Sequence, residues 1–122
     1  MITKICIIED DEFLRELIVA KLKREGFATL ELADGMEAVK KINEEKPDLI
    51  LLDLILPGID GFEVLTLIKR DKNIVNIPVI ILSNLGQKED IERGFKLGAV
   101  DYLVKAYFTP SEVLDKIKSF IR

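Results

Sequence analysis

Short apolar runs alternate with segments of helical period along the whole chain. The runs are rich in Val, Ile and Leu and are too short to be helices. The segments between them repeat apolar residues every three or four positions, as one buried helix face requires. The runs therefore predict five β-strands, at residues 4–8, 28–32, 49–53, 79–83 and 102–104.

Cap residues locate the helices between these strands. Gly26 is a typical left-handed stop for a first helix over about residues 11–25. Three capping boxes, each a cap residue followed three positions later by Glu, mark other helix starts; they are Asp34 with Glu37, Asp60 with Glu63, and Thr109 with Glu112, the last with Pro110 in its first turn. The helices then cover about residues 34–46, 60–71 and 109–122, and a fourth, over 88–97, contains Gly94.

These elements predict one sheet with helices on both of its faces. Strands separated by helices imply right-handed crossovers and parallel strand pairing. The helix residues placed toward the sheet are Leu14, Leu17, Ile18 and Leu22, then Met36, Val39 and Ile42, then Phe62, Leu65 and Ile68, then Ile91, Phe95 and Leu97, and finally Val113, Leu114, Ile117, Phe120 and Ile121. The predicted fold class is α/β, a doubly wound (βα)5 sandwich, in a single domain over residues 1–122 with no output domain.

Composition excludes several classes of function. The 122 residues are 48% hydrophobic and 33% charged, as in a soluble globular domain. A net charge of −4 argues against direct nucleic-acid binding. A lone cysteine, Cys6, argues against an internal disulfide, and we expect it to be a small buried apolar residue. No apolar run approaches a membrane span and no signal sequence is visible, so we expect no membrane partner and a cytoplasmic location. The absence of histidine removes His-dependent nucleophilic and zinc sites.

Polar side chains follow four of the five strands. They are Glu9, Asp10 and Asp11 after the first, Asp53 after the third, Ser83 and Asn84 after the fourth, and Lys105 after the fifth. The functional crevice of an open α/β sheet lies beyond the carboxyl ends of its strands. Carboxylates that converge there repel one another unless a divalent cation lies among them, and oxygen ligands suit Mg²⁺ or Mn²⁺. A carboxylate nucleophile, a hard metal, an ammonium and a hydroxyl are the groups that phosphoryl transfer needs.

The same residues resemble a known family. IEDD at residues 8–11, LDLILPGIDG at 52–61, LS at 82–83 and DYLVK at 101–105 resemble the response-regulator receiver domains of two-component signalling, including the single-domain chemotaxis regulators. The resemblance covers essentially the whole chain. It implies the flavodoxin-like strand order 2-1-3-4-5. It also implies a phosphorylation-dependent signalling switch, which is not an enzyme beyond catalysing its own phosphorylation and dephosphorylation.

The resemblance also implies a role for each site residue. Asp53 is then the phosphoryl acceptor. Asp10 and Asp53 bind Mg²⁺ directly, together with the main-chain carbonyl of Ile55, and Glu9 acts through water. Lys105 pairs with the phosphoryl group and Ser83 donates a hydrogen bond to it. Tyr102 is the aromatic residue that turns inward when Ser83 is drawn toward the site.

The implied partners are proteins. A sensor histidine kinase or a phosphotransfer protein donates the phosphoryl group, and a downstream protein binds the face formed by helix 4, strand 5 and helix 5. A phosphorylation-dependent dimer is a further expectation. In receivers the residues two positions past the acceptor aspartate and the hydroxyl flank the path of the hydrolytic water. They are Ile55 and Leu85 here, both bulky and apolar, so we expect a long-lived phosphorylated state.

At two positions the sequence allows two interpretations each. Receivers usually have a cis proline after the strand-5 lysine, whereas Ala106 follows Lys105 here. The bond is therefore either a strained cis peptide or a trans peptide with another loop path. Asp11 is either the N-cap of the first helix, which we favour, or a metal ligand.

Three other functions compete with a phosphorylated receiver. A phosphatase of the haloacid dehalogenase type also uses an aspartate nucleophile, but it would need D-x-D after its first strand and an inserted cap. A flavodoxin-like cofactor binder would need a Ser, Thr and Gly loop where this chain has consecutive acids. A receiver-like module that works without phosphorylation is the third, and the intact set of Asp10, Asp53, Ser83 and Lys105 argues against it.

Overall fold

The computed structural model describes residues 2–121 as alternating strands and helices, as the apolar pattern predicts. The strands are β1 Lys4–Ile8, β2 Ala28–Leu32, β3 Leu49–Leu52, β4 Val79–Ser83 and β5 Asp101–Val104. The helices are α1 Glu12–Arg24, α2 Ala38–Glu45, α3 Gly61–Arg70, α4 Lys88–Lys96 and α5 Pro110–Phe120. None of the helices in this range has the length and apolarity to cross a membrane.

The five strands form one parallel sheet in the order β2-β1-β3-β4-β5, which confirms the predicted fold class and strand order. In this sheet Cys6 of β1 lies opposite Ile50 of β3, and Ser83 of β4 lies opposite Val104 of β5. All carboxyl ends therefore meet at one edge of the sheet. The residues that follow β1, β3, β4 and β5 are brought together there.

Hydrophobic residues pack on both faces of the sheet. Cys6 and Ile8 point into a cluster with residues of α2 and α3, against which apolar residues of α4 also pack. Ile5 and Ile7 point into a second cluster with residues of α1 and α5. Because both faces of the sheet are covered, the central strands β3 and β4 are buried at every position and are apolar except at Ser83.

Side-chain caps begin three of the helices as predicted. Asp11 caps α1 by accepting a hydrogen bond from the Leu14 N–H at 3.1 Å, which confirms the N-cap interpretation of this residue. Asp60 caps α3 by accepting from the Glu63 N–H at 3.0 Å, although the reciprocal Glu63 bond of the predicted capping box does not form. Thr109 begins α5 with the complete predicted capping box. Gly26 follows α1 with a φ of 90°, as a left-handed stop requires.

The predicted start of the second helix is wrong. The carboxylate of Asp34 accepts a hydrogen bond from the Met36 N–H at 2.9 Å, which forms a local turn that competes with a helix. Glu37 makes no side-chain capping bond, and α2 begins only at Ala38. Met36 lies in this loop, and its side chain is 66% exposed rather than buried.

Three residues placed toward the sheet are partly exposed. Leu17, Phe95 and Phe120 are 37%, 46% and 40% exposed. The three helices that contain them, α1, α4 and α5, rest on the sheet along a narrower stripe than their apolar patterns indicate. In α1, for example, the buried residues are Ile18, Val19 and Leu22. Residues at the margin of such a stripe lie partly in solvent.

The segment between β5 and α5 resolves the question raised by Ala106. All peptide bonds in the described part of the chain are trans. Lys105–Tyr107 form a short 3-10 turn, which leads through Phe108 and Thr109 into α5. Helix α5 therefore begins at Pro110, as the capping box predicts.

The assigned starts of α5 and α2 can be tested by measuring the free energy of unfolding. Replacing Thr109 with Ala removes a side-chain cap, and we expect the free energy of unfolding to fall by about 1 kcal/mol in urea titrations. Glu37→Ala is the matched control, because this side chain caps nothing, and its effect should stay within about 0.5 kcal/mol. Equal losses in the two variants would contradict the assigned helix starts.

Candidate functional site

Three carboxylates converge at the carboxyl edge of the sheet. Glu9 and Asp10 follow β1, and Asp53 follows the neighbouring strand β3. One carboxylate oxygen from each lies within 4.8 Å of the others. Glu9 and Asp53 are 2% and 4% exposed, whereas Asp10 is exposed to solvent. The structure thus brings together the acids that the sequence places after adjacent strands.

Main-chain hydrogen bonds hold two of these acids in place. The Asp53 N–H donates to the Ile8 carbonyl at 2.9 Å, and the Glu9 N–H donates to the Leu32 carbonyl at 2.9 Å. Both bonds extend the strand pairing by one residue beyond the strands. The two carboxylates are therefore fixed to the sheet rather than carried on a loose loop.

Lys105 joins the carboxylates. Its Nζ lies 2.7 Å from Glu9 Oε1 and 2.9 Å from Asp53 Oδ2. Burial raises the pKa of Glu9, the Lys105 hydrogen bond opposes this shift, and the Asp53 charge adds to it. Burial alone would lower the pKa of Lys105, but its hydrogen bonds to both carboxylates outweigh burial and raise it. Lys105 is therefore held as a cation between the two carboxyl groups.

Asp53 presents its two oxygens to different partners. Oδ1 accepts hydrogen bonds from the N–H groups of Leu54 at 2.7 Å and Ile55 at 3.3 Å, while Oδ2 faces Lys105. Gly61, the first residue of α3, packs against this segment so closely that a Cβ there would lie 2.3 Å from the Asp53 carbonyl oxygen. Its N–H donates to the Leu54 carbonyl at 2.8 Å. A glycine is needed at this point because the helix meets bare backbone.

The start of α1 contains a residue that the sequence analysis missed. Arg15 donates from Nη1 to the Glu9 carbonyl at 2.7 Å, while the Asp11 N–H donates to Glu9 Oε2 at 3.1 Å. Both bonds orient Glu9. One signal was available in the sequence, since a cation in the early turns of a helix is unfavourable for the helix dipole and needs another reason to be there.

Ser83 and Tyr102 meet at the loop between β4 and α4. Ser83 is fully buried, and its Oγ accepts a hydrogen bond from the Leu85 N–H at 3.3 Å. Tyr102 is 8% exposed and donates from its hydroxyl to the Leu85 carbonyl at 2.6 Å. Burial raises the pKa of Tyr102 to about 12, and the charges of Asp90 and Asp53 add to the shift. Both predicted switch residues therefore bond to the same loop residue.

The remaining predicted residues surround the carboxylates. Ile55 adjoins Asp53 through its N–H, and its side chain is 54% exposed. Leu85 is half-buried and Asn84 is exposed. Cys6 is fully buried, and burial raises the pKa of its thiol, as expected for a small apolar residue.

The donor set suits a divalent cation. The three converging carboxylates are hard oxygen donors, which Mg²⁺ prefers. Together with Lys105 they carry a net charge of −2 when all four groups are ionised, which one divalent ion balances. Asp10 is exposed and gives access from solvent, while Glu9 and Asp53 are nearly buried. The residues present therefore fit the predicted metal.

Comparisons with known sequences point to one family. A family model described as "Response regulator receiver domain" matches residues 5–118. The phosphate regulon transcriptional regulatory protein PhoB of Escherichia coli (strain K12) is 39% identical over 122 residues, which are 100% of this chain and 53% of the relative. The alkaline phosphatase synthesis transcriptional regulatory protein PhoP of Bacillus subtilis is 38% identical over 119 residues, 98% of this chain and 48% of the relative. The chain spans about half the length of these relatives.

Solved structures give the same result. The chemotaxis protein CheY4 of Vibrio cholerae superposes with a TM-score of 0.91 at 25% identity, over 99% of this chain and 100% of that chain. The BeF3-activated N-terminal receiver domain of Klebsiella pneumoniae RstA superposes with a TM-score of 0.89 at 30% identity, over 98% of this chain and 99% of that one. Nearly the whole chain corresponds to one receiver domain in each case.

The position of Tyr102 predicts a pH effect. In a Tyr107→Phe variant, which leaves one tyrosine, the tyrosinate absorbance of the folded protein should titrate near 12. In denaturant it should titrate near the ordinary value of about 10. Since the folded pKa is the higher one, this contribution to stability is complete below about pH 10 and is lost as the pH rises toward 12. Circular dichroism at each pH verifies folding, and a folded-state midpoint near 10 would contradict the buried position.

Proposed function

The chain belongs to the response regulator receiver domain family, and we propose that it is a phosphorylation-dependent signalling switch whose phosphoryl acceptor is Asp53. The observation that carries this proposal is the pairing of Asp53 Oδ2 with Lys105 at 2.9 Å, inside a cluster of three carboxylates. A carboxylate that is fixed, nearly buried and paired with one cation is oriented for attack. The same cation can then stabilise a phosphoryl group on the product.

The donor is a phosphohistidine on a sensor kinase or a phosphotransfer protein, because the chain has no histidine of its own. An Asp53 carboxylate oxygen attacks the phosphorus. The bond between phosphorus and the donor imidazole nitrogen breaks, and its electron pair stays on that nitrogen, which takes up a proton. Lys105 keeps its proton throughout and interacts with the charge of the transferred group.

Asp10 and Asp53, with the Ile55 carbonyl, are the residues that would hold Mg²⁺ directly, and Glu9 would act through water. Mg²⁺, when bound, neutralises charge on the phosphoryl oxygens. The chain's own contribution is to fix these oxygens. Lys105 and the Asp11 N–H orient the carboxylate of Glu9, and the sheet hydrogen bond of Asp53 fixes its main chain.

Ser83, Leu85 and Tyr102 connect the acceptor to the surface. A phosphoryl group on Asp53 would attract the Ser83 hydroxyl, and Ser83 bonds to the main chain of Leu85. Leu85 also accepts the Tyr102 hydroxyl. A shift at Ser83 therefore changes the loop that holds Tyr102, and with it the face formed by α4, β5 and α5.

The partner that reads this face is a protein. The relatives above are transcriptional regulators about twice as long as this chain, so an output domain or a separate effector is the proposed reader. A second copy of the chain, in a phosphorylation-dependent dimer, is the other candidate for the same face.

Phosphorylation at Asp53 can be tested by mass. Incubation with acetyl phosphate and Mg²⁺ should add about 80 Da, the mass of one phosphoryl group. Removal of the metal with EDTA should abolish the addition. Asp53→Asn should remain unmodified, whereas Asp115→Asn, an exposed acid on α5, should be modified like the parent chain. An adduct on Asp53→Asn, or one that forms in EDTA, would contradict the proposal.

The lifetime of the phosphoryl group tests the role of Ile55. An apolar side chain beside Asp53 cannot orient a water molecule and can obstruct its approach, whereas Asn could hydrogen-bond to it. Ile55→Asn should therefore speed decay of the phosphorylated protein by up to about tenfold at constant Mg²⁺.

Leu67→Asn is the matched control for that experiment. Leu67 is another partly exposed apolar residue, 39% exposed on α3, and its substitution should leave the decay rate unchanged. Equal decay in the parent and in Ile55→Asn would mean that this side chain does not control the water.

A further inference from the structure

Helix α4 contains a glycine at the point where it faces the sheet. Gly94 is buried within α4, with residues on both sides of it exposed. Glycine is the least favourable residue apart from proline inside a helix, because it loses the most backbone freedom. It does not lie at the end of α4 and is not among the glycines with positive φ. Neither capping nor an unusual backbone angle accounts for it.

Space accounts for it instead. A Cβ at position 94 would lie 2.9 Å from Cδ2 and 3.2 Å from Cε2 of the Tyr102 ring. It would also lie 2.7 Å from Cδ1 of Ile81, which is the register partner of Tyr102 in the sheet. Real Cβ atoms essentially never lie within 3.0 Å of another heavy atom, so the first and the last of these distances cannot be kept. The Tyr102 ring thus occupies the space in which a side chain on residue 94 would lie.

Other contacts hold α4 in its place. The guanidinium of Arg93, the preceding residue, lies 4.1 Å from the centroid of the Phe62 ring on α3. The Gly94 carbonyl accepts a hydrogen bond from the Ala99 N–H at 3.1 Å, where the chain leaves the helix toward β5. The helix cannot move away from the sheet without weakening these contacts. An atom added at position 94 would therefore have to be accommodated on the sheet side, by the end of the Ile81 side chain and by the Tyr102 ring, which supplies two of the three close atoms.

We propose that Gly94 is a positioning residue for Tyr102: its missing side chain admits the aromatic ring to its inward position under α4, where the hydroxyl reaches the Leu85 carbonyl. A side chain at position 94 would turn the ring outward and break that hydrogen bond. The importance of this for signalling rests on the proposed function, because Tyr102 connects Asp53 to the α4 surface only if it can lie inward.

Fluorescence reports the ring position at neutral pH. The chain has no tryptophan and two tyrosines. In a Tyr107→Phe background, all tyrosine fluorescence therefore comes from Tyr102. Acrylamide should quench it weakly, since the ring is 8% exposed. Adding Gly94→Ala should raise the quenching constant at least about threefold, because the ring becomes accessible. An unchanged constant would overturn the proposal.

Two further variants separate the Tyr102 ring from its neighbours. Adding Ile81→Val to Gly94→Ala removes the other crowded atom and should leave the high quenching constant in place. Full restoration of weak quenching would mean that Ile81 alone was displaced, and it would overturn the proposal. Glu92→Ala, an exposed substitution on the same helix, should not change quenching in the Tyr107→Phe background.

Urea unfolding gives an independent test that does not depend on fluorescence. In the parent, Gly94→Ala should lower the unfolding midpoint because the ring is displaced. In a Tyr102→Ala background the same substitution should raise the midpoint, because alanine favours the helix and only the flexible end of the Ile81 side chain still has to shift. Equal changes in both backgrounds would overturn the proposal.

Phosphorylation is scored separately. The mass increase of Gly94→Ala with acetyl phosphate should match that of the parent, because Gly94 does not touch Asp53. If the parent chain itself showed no mass increase, the proposed function would be refuted. The quenching and unfolding results on Tyr102 would still stand.

Discussion

The site depends on one cation held between two nearly buried carboxyl groups. Lys105 bridges Glu9 and Asp53, which come from strands β1 and β3, while Lys105 itself follows β5 at the edge of the sheet. Without the ammonium, two carboxylates would face and repel each other in a nearly buried site. The bridge thus offsets this repulsion and also ties the ends of three strands together.

Most of the fold follows from local information. The alternation of apolar runs and helical segments gives the order of the elements, and strand ends in a parallel sheet lie at one edge whatever the loops do. The convergence of Glu9, Asp10 and Asp53 could therefore be predicted. The capping box at Thr109 formed and the one at Asp34 did not, because the Asp34 carboxylate is used in a turn with Met36. Identical spacing can serve either bond, and only the local backbone decides between them.

Apart from Arg15, which bonds to Glu9 only six positions away, the features that sequence reasoning missed depend on tertiary contacts. Lys105 and Asp53 are 52 positions apart, and their common hydrogen bond exists only once the sheet is formed. Leu85 acts through its main-chain N–H and carbonyl, which its side chain does not reveal. Gly94 belongs to no motif that the sequence analysis identified. Its role can be inferred only from the position of the Tyr102 ring beside it. The spacing of apolar residues along the chain does not indicate such contacts.

The close approach of Gly61 to Asp53 makes the surroundings of Asp53 stiffer on one side than on the other. On the α3 side, main chain meets main chain, and no side chain can rotate to absorb a displacement. On the β4 side, the Ser83 Oγ accepts from the Leu85 N–H at 3.3 Å and the Tyr102 hydroxyl donates to the Leu85 carbonyl, and both of these side-chain bonds can lengthen or rotate. A displacement of the Asp53 main chain therefore meets more resistance toward α3 than toward the loop that follows β4.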